Sequence, residues 1–169
     1  MEKWLTRFYI GLGFSHPHEL NEDIIADSLG IELFYLPSPS MRYEAGLYRS
    51  ITLNSTLSKK KQREHFYHEL GHILRGHAGK QTMMEKPFRE LQEAQASHFL
   101  MYAAIPFYMV STLKMPCQEG DFICLLADEF KVTHELAARR LDQIKRRIYQ
   151  GKMDELRYAS RTNARRAHG

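Results

Sequence analysis

The sequence predicts an α+β fold: a small, mostly antiparallel sheet, a helix carrying an H-E-x-x-H run, a second helix packed on it, and a helical C-terminal third. Three observations carry that expectation. Residues 31–54 hold short strand-like runs punctuated by Pro37, Pro39 and Gly46. Residues 58–76 contain no proline and repeat their apolar side chains at helical spacing. Beyond residue 125, apolar and basic residues again alternate with a helical period. At 169 residues and 43% hydrophobic content, the chain is long enough for one domain with a real core.

The elements follow in order. Trp4, Leu5, Phe8, Tyr9 and Leu12 mark an amphipathic first helix ending near Gly11-Leu12-Gly13. A short helix over 19–29 stops at Gly30, and 31–36 then reads as a strand closed by Pro37-Ser38-Pro39-Ser40. Residues 41–54 supply one or two further strands, with Gly46 at a turn or bulge. Ser58 is an N-cap and Gly76 a C-terminal stop for the next helix, whose stripe of Phe66, Leu70, Ile73 and Leu74 faces the core. Gly71 costs a helix interior about 1 kcal/mol relative to Ala, so it signals a close approach, expected from a neighbouring strand. Another helix covers 87–104.

His68-Glu69-Leu70-Gly71-His72 lies inside the first of these two long helices. Positions i and i+4 stack on one face, so both imidazoles can hold one ion. Both lie off the apolar stripe, as ligands facing a cleft should. Glu69, between them in sequence, can take a proton from an attacking water. Two His beside a free Glu, without Cys, suit an open site better than a closed structural one. Zinc is the expected ion, with Mn2+ also compatible with this donor set. A third ligand is needed. Spacing offers Glu90 and Glu93 on one face of the second helix and does not choose between them, while Glu85 and His77 are weaker candidates near the turn. On an ideal helix His77, five residues past His72, points well away from the ligand pair.

The stretch also contains Ile51-Thr52-Leu53-Asn54 before the motif, Glu93-Ala94-Gln95-Ala96-Ser97-His98-Phe99-Leu100 after it, and Ala103-Ala104-Ile105-Pro106 at its end. In this it resembles the ImmA/IrrE family of metallopeptidases, which shows I-x-L-N, H-E-L-G-H, E-x-x-A-N-x-F-A and L-L-M-P in that order. The resemblance implies a zincin-like arrangement and gives the third-ligand role to Glu93. It further implies a zinc-dependent endopeptidase that cleaves a helix-turn-helix transcriptional repressor, an anti-repressor of a mobile element, prophage or stress response. The departures are Ser97 for Asn, Leu100 for a small residue and Ala103-Ala104-Ile105 for Leu-Leu-Met. Ser97 shares a helical face with Glu93 and could orient a ligating His. His98, Tyr102 and Tyr67 are candidates to stabilise the oxyanion.

Residues 1–150 are expected to form a single metallopeptidase domain, with 151–169 a basic tail. Lys and Arg outnumber Asp and Glu by six over residues 145–169, against a net +4 for the whole chain. The basic character is therefore a property of the C-terminal end, read as solvated and partly disordered. Within 125–147, Ala127 to Thr133 followed by Leu136, Ala137 and Leu141 resembles a helix-turn-helix, with Arg139, Arg140, Lys145, Arg146 and Arg147 on its second helix. The first helix is short, and Lys131 stands where a turn glycine belongs, so the segment reads as two packed helices rather than a nucleic-acid reader. The rival expectation is a DNA-binding regulator with a sensory or structural metal, and an intact Glu69 speaks against it. No apolar run reaches the roughly 18 residues a membrane span requires, no signal peptide opens the chain, and Cys117 and Cys124 lack ligand spacing. The expected location is the cytoplasm.

Overall fold

The computed structural model describes residues 1–77 and 84–166, with side chains described as far as residue 155. Helix α1 (Glu2–Gly11) buries Leu5 and Tyr9 and leaves Trp4 stacked on Phe8 at the surface. The helix expected over 19–29 is split. Glu19 accepts the N–H of His16 at 2.8 Å and closes a separate 3-10 turn, Pro17–Glu19. Asn21 then caps α2 (Glu22–Ser28) by accepting the N–H of Ile24 at 3.1 Å.

Strands β1 (Glu32–Leu36), β2 (Met41–Ala45) and β3 (Tyr48–Asn54) form one sheet in the order β1-β3-β2. The β2–β3 pair is antiparallel and turns at Gly46, whose φ of +61° a side-chain-bearing residue rarely adopts. The β1–β3 pair is parallel, so the sheet is mixed rather than mostly antiparallel. The reason lies in residues 37–40. They carry the chain around the end of β3, where Ser40 Oγ accepts the N–H of Asn54 at 3.0 Å. Strand β3 is consequently central, with Ile51 and Leu53 fully buried, and β2 forms an edge.

Helix α3 (Lys59–Leu74) is capped by Ser58, which accepts the N–H of Lys61 at 3.3 Å. It packs along α4 (Lys86–Ala104), the most extensive helix pairing among the described residues. A Cβ added at Gly71 would lie 3.1 Å from Phe99 Cβ and 3.3 Å from Ala96 Cα. The close neighbour of Gly71 is therefore helix α4 and not a strand. The short α5 (Phe107–Val110) leads to α6 (Glu119–Glu129) and α7 (His134–Arg166). Leu126, Phe130, Val132 and Ala137 from this third join Phe66, Leu70 and Ile105 in one continuous core.

Lys131 adopts φ +54° in the turn before α7, the conformation for which a glycine would be the cheaper choice. Thr133 caps α7 by accepting the N–H of Leu136 at 3.2 Å. Buried Glu64 of α3 accepts the N–H of Thr133 at 2.8 Å, and Arg63 donates to the carbonyl of Phe130 at 2.7 Å. These contacts bind the α6–α7 turn to α3, the helix with the H-E-x-x-H run. Beyond residue 150 the chain does not leave the fold as an irregular tail: α7 continues unbroken to Arg166, and 167–169 lie outside the described residues. Arg140 is also unlike the expected solvated basic face, being 0% exposed. Cys117 and Cys124 are free and exposed, in line with the absence of a disulfide framework.

Candidate metal centre

Helix α3 presents His68 and His72 on the face turned toward α4, and α4 answers with Glu93. His68 Nε2 lies 3.1 Å from Glu93 Oε2, His72 Nε2 lies 3.3 Å from Glu93 Oε1, and the two Nε2 atoms are 3.1 Å apart. Tetrahedral ligands about 2.0–2.1 Å from zinc are separated by about 3.3 Å, so the triangle fits one such ion. Two imidazole nitrogens and a carboxylate oxygen facing one point are the donor chemistry a divalent ion satisfies. These three residues are the candidate ligands among the described residues.

Glu90 does not share the triangle: its carboxylate is largely exposed and pairs with Lys86 at 3.8 Å. Glu85 is exposed at the start of α4. Ser97 stands one turn beyond Glu93, half-buried. His98 is exposed, and its ring meets that of Tyr102 edge-on at 4.7 Å. Tyr102 belongs to another neighbourhood, where its hydroxyl accepts from Gln143 Nε2 at 2.7 Å and its ring lies under Arg140 at 4.4 Å. Tyr67 is 0% exposed in the core beside Phe66, and burial pushes the pKa of its hydroxyl well up, leaving it protonated.

Glu69 lies at the same face with its carboxylate mostly buried. Burial raises its pKa above the usual carboxylate range, and nearby His68 and Arg42 oppose that rise. Arg42 comes from the edge strand β2 and places Nη1 3.6 Å from Glu69 Oε2. Its Nη2 donates to the carbonyl of His77 at 2.8 Å. His72 is 1% exposed, and burial, reinforced by Arg42 and His68, depresses its pKa to about 4. The ring is thus neutral at physiological pH, as ligation requires.

His77 does not point away. Helix α3 ends at Leu74, and the turn returns the ring to His72, with the two Nδ1 atoms 2.9 Å apart. His77 Nε2 in turn lies 2.9 Å from Gln95 Oε1. The roles of Gln95 and Arg42 escape a reading of the sequence. Gln95 sits two residues from Glu93, which was a usable hint, but nothing in a strand 27 residues before Glu69 signals Arg42.

With this geometry in place, comparison with known proteins is direct. Residues 26–142 match the family model described as Peptidase_M78, the IrrE N-terminal-like domain. The chain belongs to this family. Membership in Peptidase_M78 makes it a metallopeptidase relative, and the matched span contains both helices that carry the candidate ligands and the α6–α7 turn. Among Peptidase_M78-like relatives, the chain is 38% identical over 149 residues to the phage-like element PBSX protein XkdA of Bacillus subtilis, covering 87% of this chain and 74% of that protein. It is 29% identical over 151 residues to YqaB of the same organism, covering 89% and 87% of the two chains. Its fold resembles that of a solved Mycobacterium tuberculosis transcriptional regulator, with a TM-score of 0.55 at 14% identity over 83% of this chain. The match spans 45% of the length of that regulator. Among the described residues of this Peptidase_M78 domain, no helix is long and apolar enough to cross a membrane.

Proposed function

We propose that this protein is a cytoplasmic, zinc-dependent endopeptidase that cleaves a helix-turn-helix repressor and so relieves repression. The observation that carries the reading is the convergence of His68, His72 and Glu93 beside the mostly buried carboxylate of Glu69. A bound zinc would polarise the scissile carbonyl and lower the pKa of the attacking water. Glu69 is the base. It takes a proton as the water oxygen attacks the carbonyl carbon, and it delivers that proton to the departing nitrogen as the C–N bond breaks. The products are a free carboxylate and a free amine. A raised pKa suits this double duty, because a carboxylate that is too acidic holds a proton poorly. Arg42 fixes the carboxylate from the side of β2 and keeps it oriented.

The edge strand next to the site is β2. A peptide shelf needs a free sheet edge; β3 is paired on both sides and has no free ladder, so the shelf falls on Met41–Ala45. The substrate class follows from the sequence resemblance, and the phage-like element in the description of XkdA supports a role in a mobile element. The rival, a DNA-binding regulator, is disfavoured by Arg140, which is spent inside the fold, and by the α6–α7 turn, which is bonded to α3. The deciding experiment incubates the protein with helix-turn-helix repressors from its own genome, any encoded beside it first, with and without chelator, and analyses fragments by mass spectrometry. Chelator-sensitive cleavage at a defined bond is expected. An intact repressor in the zinc-loaded reaction, together with tight, sequence-specific DNA binding in physiological salt, would replace this reading with the regulator.

A further inference from the structure

His77 takes no part in the proposed hydrolysis, yet it is 6% exposed and engages both ring nitrogens. Its position is made by the end of α3. Gly76 adopts φ +62°, its N–H returns to the carbonyl of Ile73 at 3.0 Å, and the N–H of His77 returns to the carbonyl of His72 at 3.0 Å. This Schellman turn folds residue 77 back over the last turn of the helix. Arg42 then holds the His77 carbonyl from β2 at 2.8 Å.

The contacts fix where the protons lie. Gln95 Oε1 can only accept, so at 2.9 Å the proton belongs to His77 Nε2. A neutral His77 then offers its Nδ1 lone pair, and at 2.9 Å the shared proton sits on His72 Nδ1. That leaves the lone pair of His72 on Nε2, the atom that faces His68 and Glu93. We propose that Gln95 and His77 form a relay that selects the tautomer of His72 and locks its ring for metal binding. The inference rests on the metal-centre reading above. Ligating imidazoles commonly donate to a carboxylate, a backbone carbonyl or water. Here the partner is a second imidazole, which orients without adding negative charge. Reversing the Gln95 amide would reverse every proton in the relay and put a hydrogen on His72 Nε2, where the ion must sit.

The test uses the full chain, zinc as the probe in competition with a chelating dye, and nitrogen NMR of the imidazoles in metal-free protein. His77→Phe is expected to weaken zinc binding about 10- to 100-fold and to shift His72 toward the Nε2–H form. Gln95→Met weakens binding in the same direction. Gln95→Glu keeps the acceptor and discards the donor, so it retains the parent affinity or tightens it. Parent-like affinity in both His77→Phe and Gln95→Met, with His72 still protonated at Nδ1, overturns the relay. Equal losses in Gln95→Glu and Gln95→Met overturn the proton assignment. If His77→Phe does not fold, the two Gln95 variants decide the matter alone. Failure of the metal centre itself looks different: zinc binding unaffected by Glu93→Ala would overturn both readings, whereas failure of the relay alone leaves that sensitivity intact.

Discussion

The two ends of α4 each gather polar side chains between packed helices, with opposite results. Toward its N-terminal half, Glu93 joins His68 and His72, and three lone-pair donors face one another. Toward its C-terminal end, Arg140 of α7 donates to the carbonyl of Ile105 at 3.0 Å and to Glu2 of α1 at 2.9 Å, also bonds Gln143, and covers the ring of Tyr102. There every polar group answers a partner of opposite character. At the first end two imidazoles and a carboxylate crowd within 3.3 Å of one another, a donor set that a divalent ion can bridge. Burial of polar groups alone therefore does not distinguish a candidate metal centre from a staple. The kind of donor set does.

The sharpest way to break the comparison is to remove one donor from each end. Glu93→Ala should reduce bound zinc from about one per chain to near zero, while Glu90→Ala leaves it unchanged, as metal analysis would reveal. Retention in the first variant with loss in the second would move the centre elsewhere. Next, Glu69→Gln should keep the metal yet cut cleavage by about 100- to 10,000-fold, because shape survives and the base does not. Near-normal turnover would remove Glu69 from the mechanism.

At the other end, Arg140→Met should lower unfolding stability by about 3 kcal/mol, by stranding Glu2 and the carbonyl of Ile105. Zinc affinity should be untouched. Denaturant melts of the metal-free protein test it, and a coupled loss of zinc would show that the two ends are one unit.

The smallest effect separates the ends by pH. His72 has a folded pKa near 4, below its ordinary value of 6.5, so the unfolded chain binds more protons between these values. Its contribution to stability is present above about 6.5 and is lost as pH falls toward 4. The metal-free parent should therefore lose more stability across that window than His72→Gln does, whereas Arg140→Met should keep the parent slope. Identical slopes in parent and His72→Gln would contradict the assignment.

What the sequence discloses follows the range of the interactions. His68, Glu69 and His72 are readable because helical spacing alone places them. The hairpin at Gly46, the cap at Ser58 and the stop at Gly76 are readable for the same reason. Glu93 required a helix-to-helix match, which spacing left open between two glutamates. His77 departs from the ideal-helix expectation because the Gly76 turn redirects the chain before it. Strand order depends on a parallel pairing across a crossover, and the bridge from Arg42 and the burial of Arg140 depend on pairings 27 and 138 residues apart, which no local pattern encodes. A basic residue in a basic helix looks like solvent-facing charge until Glu2 and Tyr102 close over it.

Gly71 sits between the two ligand histidines in sequence, and its missing side chain lets α4 come to within contact of the α3 backbone. It works as a spacer of minimum thickness. The ligand triangle spans two helices, so its size is set by how far apart their axes lie, not by the ligands themselves. A methyl group at this position would push Phe99 and Ala96 outward by a few tenths of an ångström and widen the gap that Glu93 must cross. The bore of the candidate metal centre is therefore gauged by a residue that is not one of its candidate ligands.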